Sequence, residues 1–300
     1  MRAVVTGGAG FVGSHLADAL LAAGDRVTVI DHLQRGHVHN LEPALARGLE
    51  LIQGDVADVT AMVRILSAVR PEAVYHLAAQ IDVRRSVRDP STDARVNLGG
   101  TAAILEAARE AGVGRVVLAS TAGVYGDPPE VPITEATRVS PLSPYGASKA
   151  AAESYMRLFR ELYGLSTLSL RMSNVYGPRQ DPHGEAGVIA IFCALAAEGR
   201  PATIFGDGEQ TRDFIYVGDV VAAFRAAGRS SAEGTLNVST GRETSLSRLA
   251  AGLGLSTRSA PARPGEVRRS CLDPAAAQRA LGWQARVTFE QGLERTLATL

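Results

Sequence analysis

Thr6-Gly-Gly-Ala-Gly-Phe-Val-Gly13 joins two segments of opposite character. Before it, Arg2–Thr6 is a short apolar, β-branched run. After it, residues 11–23 are rich in Ala and Leu and stop at Gly24, as helices do at a C-terminal glycine. The glycines at 7, 10 and 13 therefore lie between a strand and the helix it feeds. Glycine there permits the tight turn, lets the backbone approach a pyrophosphate and allows close helix packing, while the helix N-terminal N–H groups meet negative charge. A glycine triplet alone is weak evidence, because strand-to-helix turns also use glycine for structural reasons. Its position between these two segments gives it weight.

Outward from this turn the same pattern repeats. Apolar runs at residues 26–30, 49–53, 73–77, 115–120 and 166–171 alternate with helical stretches, which predicts parallel βαβ units and an α/β, Rossmann-type doubly wound sheet. From Asn174 the chain turns to Gly, Pro, Asp and Arg, broken by helix-like stretches at 188–198 and 245–253. The expected organisation is a dinucleotide-binding domain over 1–172, with a return segment near 213–240, and a smaller α/β substrate lobe formed mainly by 173–300. No internal repeat appears.

The composition narrows the function classes. With 300 residues, 46% of them hydrophobic, the chain can bury a full core. Lys plus Arg and Asp plus Glu are 31 each, so no bulk field favours nucleic acid or an anionic membrane. Cys193 and Cys271 belong to no paired motif, and His32, His37 and His39 lack partners at ligand spacing. No metal is expected. Residues 1–6 run straight into the turn and no apolar run reaches membrane-spanning length, so a cytoplasmic protein is expected.

The second run ends at Ile30-Asp31, where a Rossmann acid accepts hydrogen bonds from the adenosine ribose. A carboxylate there repels a 2′-phosphate and favours NAD over NADP, unless Arg35 folds back to accept that phosphate. Asp55, in Gly54-Asp-Val56, and His76-Leu-Ala-Ala79 end the third and fourth runs at the same sheet edge, where an Asp can accept from the adenine amine. Tyr145-Gly-Ala-Ser-Lys149 places a phenol and an ammonium on one helix face, with Ser143-Pro144 marking the helix start. A free tyrosine titrates near about 10, so service as a base near neutrality demands roughly 4 kcal/mol of extra stabilisation of its anion. Lys149, with the positive ring of NAD⁺ nearby, is a source of that stabilisation. Thr121, ending the fifth run, is placed to hold the reacting oxygen.

Gly7, Gly10 and Gly13, Asp31, Gly54-Asp55, Ala119-Ser-Thr-Ala-Gly-Val-Tyr-Gly126 and Ser143-Pro-Tyr-Gly-Ala-Ser-Lys149 together resemble the extended short-chain dehydrogenase/reductases, and among these the UDP-glucose 4-epimerase family. The resemblance covers nearly the whole chain. It implies NAD as cofactor, with Phe11, Val12, His32, Val56, Leu77, Ala78, Ala79, Gln80 and Asn97 joining the glycines, Asp31, Asp55, Tyr145 and Lys149 around it. It implies that Tyr145 removes the proton of a sugar 4-hydroxyl, that Lys149 lowers its pKa, and that Thr121 assists. The resulting 4-keto sugar turns over and takes hydride back on its other face, which regenerates NAD. Asn174, Arg212 and Arg263 match residues gripping a UDP diphosphate, Glu266 an acid on the nucleotide ribose, and Val188, Thr203 and Phe205 the uracil pocket.

Some positions depart from the family pattern. Met172-Ser173 stands where relatives carry an aromatic pair, and Ser270 falls at a gate whose small size would admit N-acetylated sugars. UDP-N-acetylglucosamine and UDP-glucuronic acid are therefore alternative substrates. Asn174 and Asp181 argue against the glucuronate enzymes, and Ala122-Gly123 after Thr121 argues against a dehydratase. A non-catalytic NAD-binding sensor would be expected to lack Tyr145 or Lys149. A homodimer through the helices ending near Ala108 and beginning near Tyr145 is the family expectation.

Overall fold

A computed structural model describes residues 1–182, 187–262 and 267–299. Strands β1 (Arg2–Thr6), β2 (Arg26–Asp31), β3 (Glu50–Gln53), β4 (Ala73–His76), β5 (Arg115–Thr121) and β6 (Ser166–Met172) lie within a residue or two of the apolar runs. Helices α1 (Phe11–Ala22), α2 (Glu42–Leu45), α3 (Val59–Val69), α4 (Val83–Arg88), α5 (Pro90–Ala94), α6 (Gly100–Glu110) and α7 (Pro144–Tyr163) connect them. Beyond β6 come β7 (Asn174–Tyr176), α8 (Val188–Ala197), β8 (Ala202–Phe205), β9 (Thr211–Arg212), β10 (Phe214–Tyr216), α9 (Val217–Arg229) and β11 (Gly234–Val238). The chain ends through β12 (Thr244–Ser245), α10 (Leu246–Gly252), β13 (Thr257–Ala260), β14 (Arg269–Ser270), α11 (Ala275–Leu281) and α12 (Phe289–Leu297).

The main sheet has seven strands in the order β11-β6-β5-β4-β1-β2-β3, all parallel. The order reverses beside β1, and such a switch point opens a crevice at the carboxyl ends of the strands. Alternation along each strand divides its side chains between two cores. Ala3, Val5, Val117 and Leu168 face α1 and α9, with Leu16, Leu20, Val220 and Phe224. Val4, Val74, Val116 and Leu118 face α3 and α6, with Met62, Leu66, Ile104 and Leu105. Both faces are covered, which is why these strands read as continuous apolar runs.

Two elements from residues 213–240 join this body: α9 packs against α1, and β11 extends the sheet next to β6. A separate core gathers Tyr176, Ile189, Phe192, Cys193, Ile204, Phe214, Leu249 and Leu293, around which the short strands β7–β10 and β8–β13 pair. His15 ties the two parts together: its Nε2 lies 2.9 Å from the Pro178 carbonyl oxygen, while Asp18, one turn on, pairs with Arg179 at 2.9 Å. Among the described residues no helix is long and apolar enough to cross a membrane.

Candidate active site

The glycine turn is shaped by contacts that leave no room for a side chain. Gly7 takes φ +68°, and a Cβ there would lie 2.7 Å from the Ala78 nitrogen. A Cβ on Gly13 would sit 2.2 Å from the Gly7 carbonyl oxygen, so β1, β4 and α1 meet through backbone alone. Gly10 caps α1 without a side chain, and no acidic residue occupies the first turn. The helix N-terminus is thus left for an external anion.

Asp31 ends β2 with 6% exposure, its Oδ2 accepting from the Ala9 N–H at 3.0 Å and its Oδ1 from the Leu33 N–H at 2.9 Å. Two backbone donors hold the carboxylate rigidly against the glycine turn. Arg35 reaches Asp82 at 3.4 Å, so the basic residue that would accommodate a 2′-phosphate is engaged elsewhere. His32 stays half-exposed beside Asp31. Asp55 accepts from the Ala57 N–H and is covered by Arg95 at 3.0 Å, contacts that hold its carboxyl below the usual range against the opposing effect of burial. Val56 turns into the core.

These pieces fit a dinucleotide: a glycine cradle that a Cβ would fill, an uncapped helix start and a fixed carboxylate at the second strand. Between β4 and α6 the fourth wall is built from hydrogen bonds. Leu77 and Ala78 donate to the carbonyl and hydroxyl of Thr6 at 3.1 and 3.2 Å. Gln80 N–H donates to Asn97 Oδ1 at 2.8 Å, and Asn97 Nδ2 returns a bond to the Gln80 carbonyl at 3.0 Å. Asn97 lies in a π-helical turn, residues 95–99, that aims its amide inward. Beneath it His76 is sealed between Thr6 Oγ1 at 2.7 Å and Thr101 Oγ1 at 3.2 Å. Burial, aided by the charge of Lys149, pulls its imidazole down to about 3.

Helix α7 starts where the sequence marks it: Ser143 Oγ accepts from the Gly146 N–H at 3.2 Å, and Pro144 opens the first turn. Tyr145 and Lys149 fall on its inner face. The Thr121 side chain, at the end of β5, accepts from the Gly123 N–H at 3.1 Å and lies near enough to the Tyr145 phenol to act on its ionisation. Lys149 is 2% exposed and donates to the Ala119 carbonyl at 3.0 Å. It is the only lysine of a chain whose other thirty strongly basic side chains are arginine. Arg cannot be deprotonated and carries a planar fork, so this one position asks for a compact, titratable ammonium.

The electrostatics differ from the expectation in one respect. In the bare protein the Tyr145 phenol is pushed up to about 12 by burial, an effect that the Thr121 hydrogen bond opposes and Asp93 reinforces. Lys149 is itself drawn down to about 8 by burial, against the pull of Asp93 and Glu153. At Tyr145 desolvation outweighs the pairing that the four-residue spacing suggested.

On the opposite wall, Asn174 opens β7 with an exposed side chain. Arg212 on β9 faces Ser270 of β14 in register, so the residues expected at the diphosphate and at the gate are strand neighbours. Arg212 Nη1 donates to the Thr211 carbonyl at 2.7 Å. Thr203 and Phe205 line β8, and Val188 begins α8. Arg263 and Glu266 lie outside the described residues. Ser173 is buried and bonded through its N–H to the Val238 carbonyl. Among the described residues no group of three His, Cys, Asp or Glu is placed to hold a metal ion. His37 and His39 instead stack at 5.2 Å.

Sequence reading passed over Asp93, Ser148, Thr101 and Glu153, all buried around this corner. Asp93 and Asn97 are four residues apart, the spacing of one helix face, and that was the available signal.

The profile of the family described as GDP-mannose 4,6-dehydratase matches residues 4–296. A UDP-glucose 4-epimerase of Mycolicibacterium smegmatis is 46% identical over 99% of this chain and 97% of its own length. The crystal structure of a UDP-glucose 4-epimerase from Thermotoga maritima with UDP-glucose superposes with a TM-score of 0.95 at 42% identity, covering 100% of this chain and 98% of that one. The Thermus thermophilus UDP-glucose 4-epimerase in complex with NAD gives 0.91, also at 42% identity with 100% and 98% coverage. These matches span nearly the whole chain, and the chain belongs to the NAD-dependent epimerase/dehydratase family of nucleotide-sugar enzymes.

Proposed function

We propose that this chain is an NAD-dependent epimerase acting at C4 of a UDP-hexose of the UDP-glucose/UDP-galactose type. The observation that carries the reading is Tyr145 and Lys149 on one face of α7, with Thr121 against the phenol, at the sheet edge that also holds the Gly7 cradle. Gly7, Gly10, Gly13, Asp31, Asp55, Asn97 and Lys149 hold the cofactor. Bound NAD supplies a reversible hydride acceptor and a positive ring, so that oxidation at the carbinol and reduction from the opposite face leave it unchanged.

The chain's own residues supply the rest. Thr121 orients the sugar hydroxyl by a hydrogen bond, and Tyr145 takes its proton. Because burial pushes the phenol up, base strength at Tyr145 depends on the positive charge that Lys149 and the bound cofactor would bring together. Asn174, Arg212 and Arg263 grip the diphosphate, Arg212 through a fork suited to phosphate oxygens. Glu266 holds the nucleotide ribose, and Val188, Thr203 and Phe205 hold the uracil. Under this reading residues 1–172, with the segment near 213–240, serve the cofactor, and the remainder serves the substrate.

Ser270, small and in register with Arg212, supports UDP-N-acetylglucosamine as a second substrate. The exposed Tyr155, Leu158, Leu162 and Tyr163 of α7 support a homodimer through this helix, and the activity is assigned to the cytoplasm. The deciding experiment incubates the protein with UDP-glucose, UDP-N-acetylglucosamine and UDP-glucuronic acid in parallel and identifies products by NMR. Formation of the C4 epimer of UDP-glucose is the expected result. An unchanged spectrum in all three overturns the proposal and leaves a cofactor-binding protein without turnover.

A further inference from the structure

Asp93 is a carboxylate at 1% exposure, one turn before Asn97 and outside the proton-transfer set. Its Oδ1 accepts from Gln80 Nε2 at 2.9 Å and Asn97 Nδ2 at 3.1 Å, and its Oδ2 from Ser148 Oγ at 2.6 Å. Ser148 precedes Lys149 on α7 and also accepts from Asn97 Nδ2 at 3.2 Å. Three neutral donors thus converge on a carboxylate that has no arginine of its own.

Neutral donors satisfy the lone pairs of a buried carboxylate without balancing its charge, and a buried anion demands a cation nearby. The acidic groups whose charge reaches Lys149 through space are Asp93 of α5, bonded to the preceding residue Ser148, and Glu153 of α7. His76 of β4 is neutral between its two threonines, and Tyr145 lies one turn away. Glu153 is already committed: it is bonded twice or more by Arg171 of β6, at 2.6 to 3.2 Å, and by Ser120 Oγ at 2.5 Å. Asp93 is left as the uncommitted negative charge of the corner.

We propose that Asp93 is the buried counter-charge of Lys149: a positioning residue that keeps the ammonium charged in a desolvated pocket and anchors it to the Asn97 turn through Ser148. The assignment rests on the functional reading above, since it gives Lys149 a reason to be charged. Its negative charge has a second effect, because it disfavours ionisation of Tyr145. Removing it therefore weakens the ammonium and strengthens the tyrosinate, so both titrations move toward acid.

The single lysine makes the test direct. Holoprotein labelled with [ε-¹³C]lysine yields one lysine signal, whose pH titration reports Lys149 without any turnover. Asp93→Asn and Asp93→Ser should each lower its midpoint by about 1 pH unit or more, while Asp93→Glu, which restores the charge, stays near the native value. Glu153→Gln should shift it less than Asp93→Asn. Where turnover is present, both limbs of the kcat/KM profile should move to lower pH in Asp93→Asn, whereas a purely structural role lowers the plateau and leaves the limbs in place. A midpoint unmoved in the two neutral variants, or lowered equally in all three Asp93 variants, overturns the proposal. Absence of epimerisation by the native protein would instead overturn the functional reading, and the lysine titration would still decide whether Asp93 is its counter-charge.

Discussion

Arg171 meets Glu153 at 2.6 Å and Arg268 meets Asp207 at 2.7 Å, yet the first pair is 7% and 8% exposed and the second 58% and 56%. Nearly equal bond lengths therefore describe opposite situations. The inner pair lies beneath α7, where every charge must be matched: Arg171 Nη1 has no hydrogen-bond partner among the described residues, but the guanidinium carbon lies 4.6 Å from the Tyr125 ring centroid. The outer pair sits in the part of the chain built on the second core, in water and ions, where its worth is small. Beneath the Tyr145–Lys149 end of α7 charges are few, buried and fixed, while farther along the same helix Arg157 and Glu161 pair in solvent. Around Arg212 the ion pairs are more open, including the Glu243–Arg269 pair beside it, although the neighbouring Asp213 is fully buried and held by Thr240 and Gly241.

The most forceful way to break this contrast is at the reacting group. Tyr145→Phe should lower turnover by about 10³-fold or more while bound NAD and the circular dichroism spectrum stay native; loss of NAD instead would mean that the phenol serves binding. Next in size, Arg171→Met should destabilise the fold by about 3–5 kcal/mol in denaturant titration, because Glu153 is left buried and unpaired. The double variant Arg171→Met, Glu153→Leu should recover most of that loss. If it does not, the pair contributes more than mutual neutralisation.

Acid sharpens the comparison further. His76 titrates far lower in the folded chain than in the unfolded one, so the unfolded state binds the proton first. Stability from this group is full above about pH 6.5 and drains as pH falls toward about 3, by on the order of 3 kcal/mol between about pH 7 and pH 4. His76→Asn should flatten that part of the stability profile, and an unchanged slope would assign acid sensitivity to other groups. In the solvated lobe, Arg212→Ala should raise KM for the UDP-sugar about 10- to 100-fold with little change in kcat; a fall in kcat alone would place Arg212 in the chemistry instead. The smallest effect is expected at Arg268→Ala, whose Tm should match the native protein within experimental scatter. A clear loss would show that exposure does not separate the two regions.

The Tyr145–Lys149 corner was legible because its signals are local. Glycine spacing, a strand-end acid at Asp31 and the Tyr145–Lys149 step each occupy one turn or one strand end, and alternation of apolar runs placed the six strands to within a residue or two. What supports that corner was not legible. Asp93 touches Ser148 across 55 positions, and Arg171 reaches Glu153 across 18. Each residue by itself reads as a solvated charge on an amphipathic helix or strand. The substrate lobe was readable only through resemblance, since Arg212 and Ser270 become neighbours by pairing of two-residue strands that carry no periodicity.

By itself, then, the sequence determined the doubly wound sheet, the dinucleotide cradle and the phenol–ammonium step, because each follows from propensity and spacing within a few residues. The tertiary structure alone decided the state of those groups. Packing α5, α7 and β4 together removes water from Tyr145, Lys149 and His76, so that burial pushes the phenol up and draws the ammonium and the imidazole down; Asp93 adds to the first shift and opposes the second, and the charge of Lys149 adds to the third.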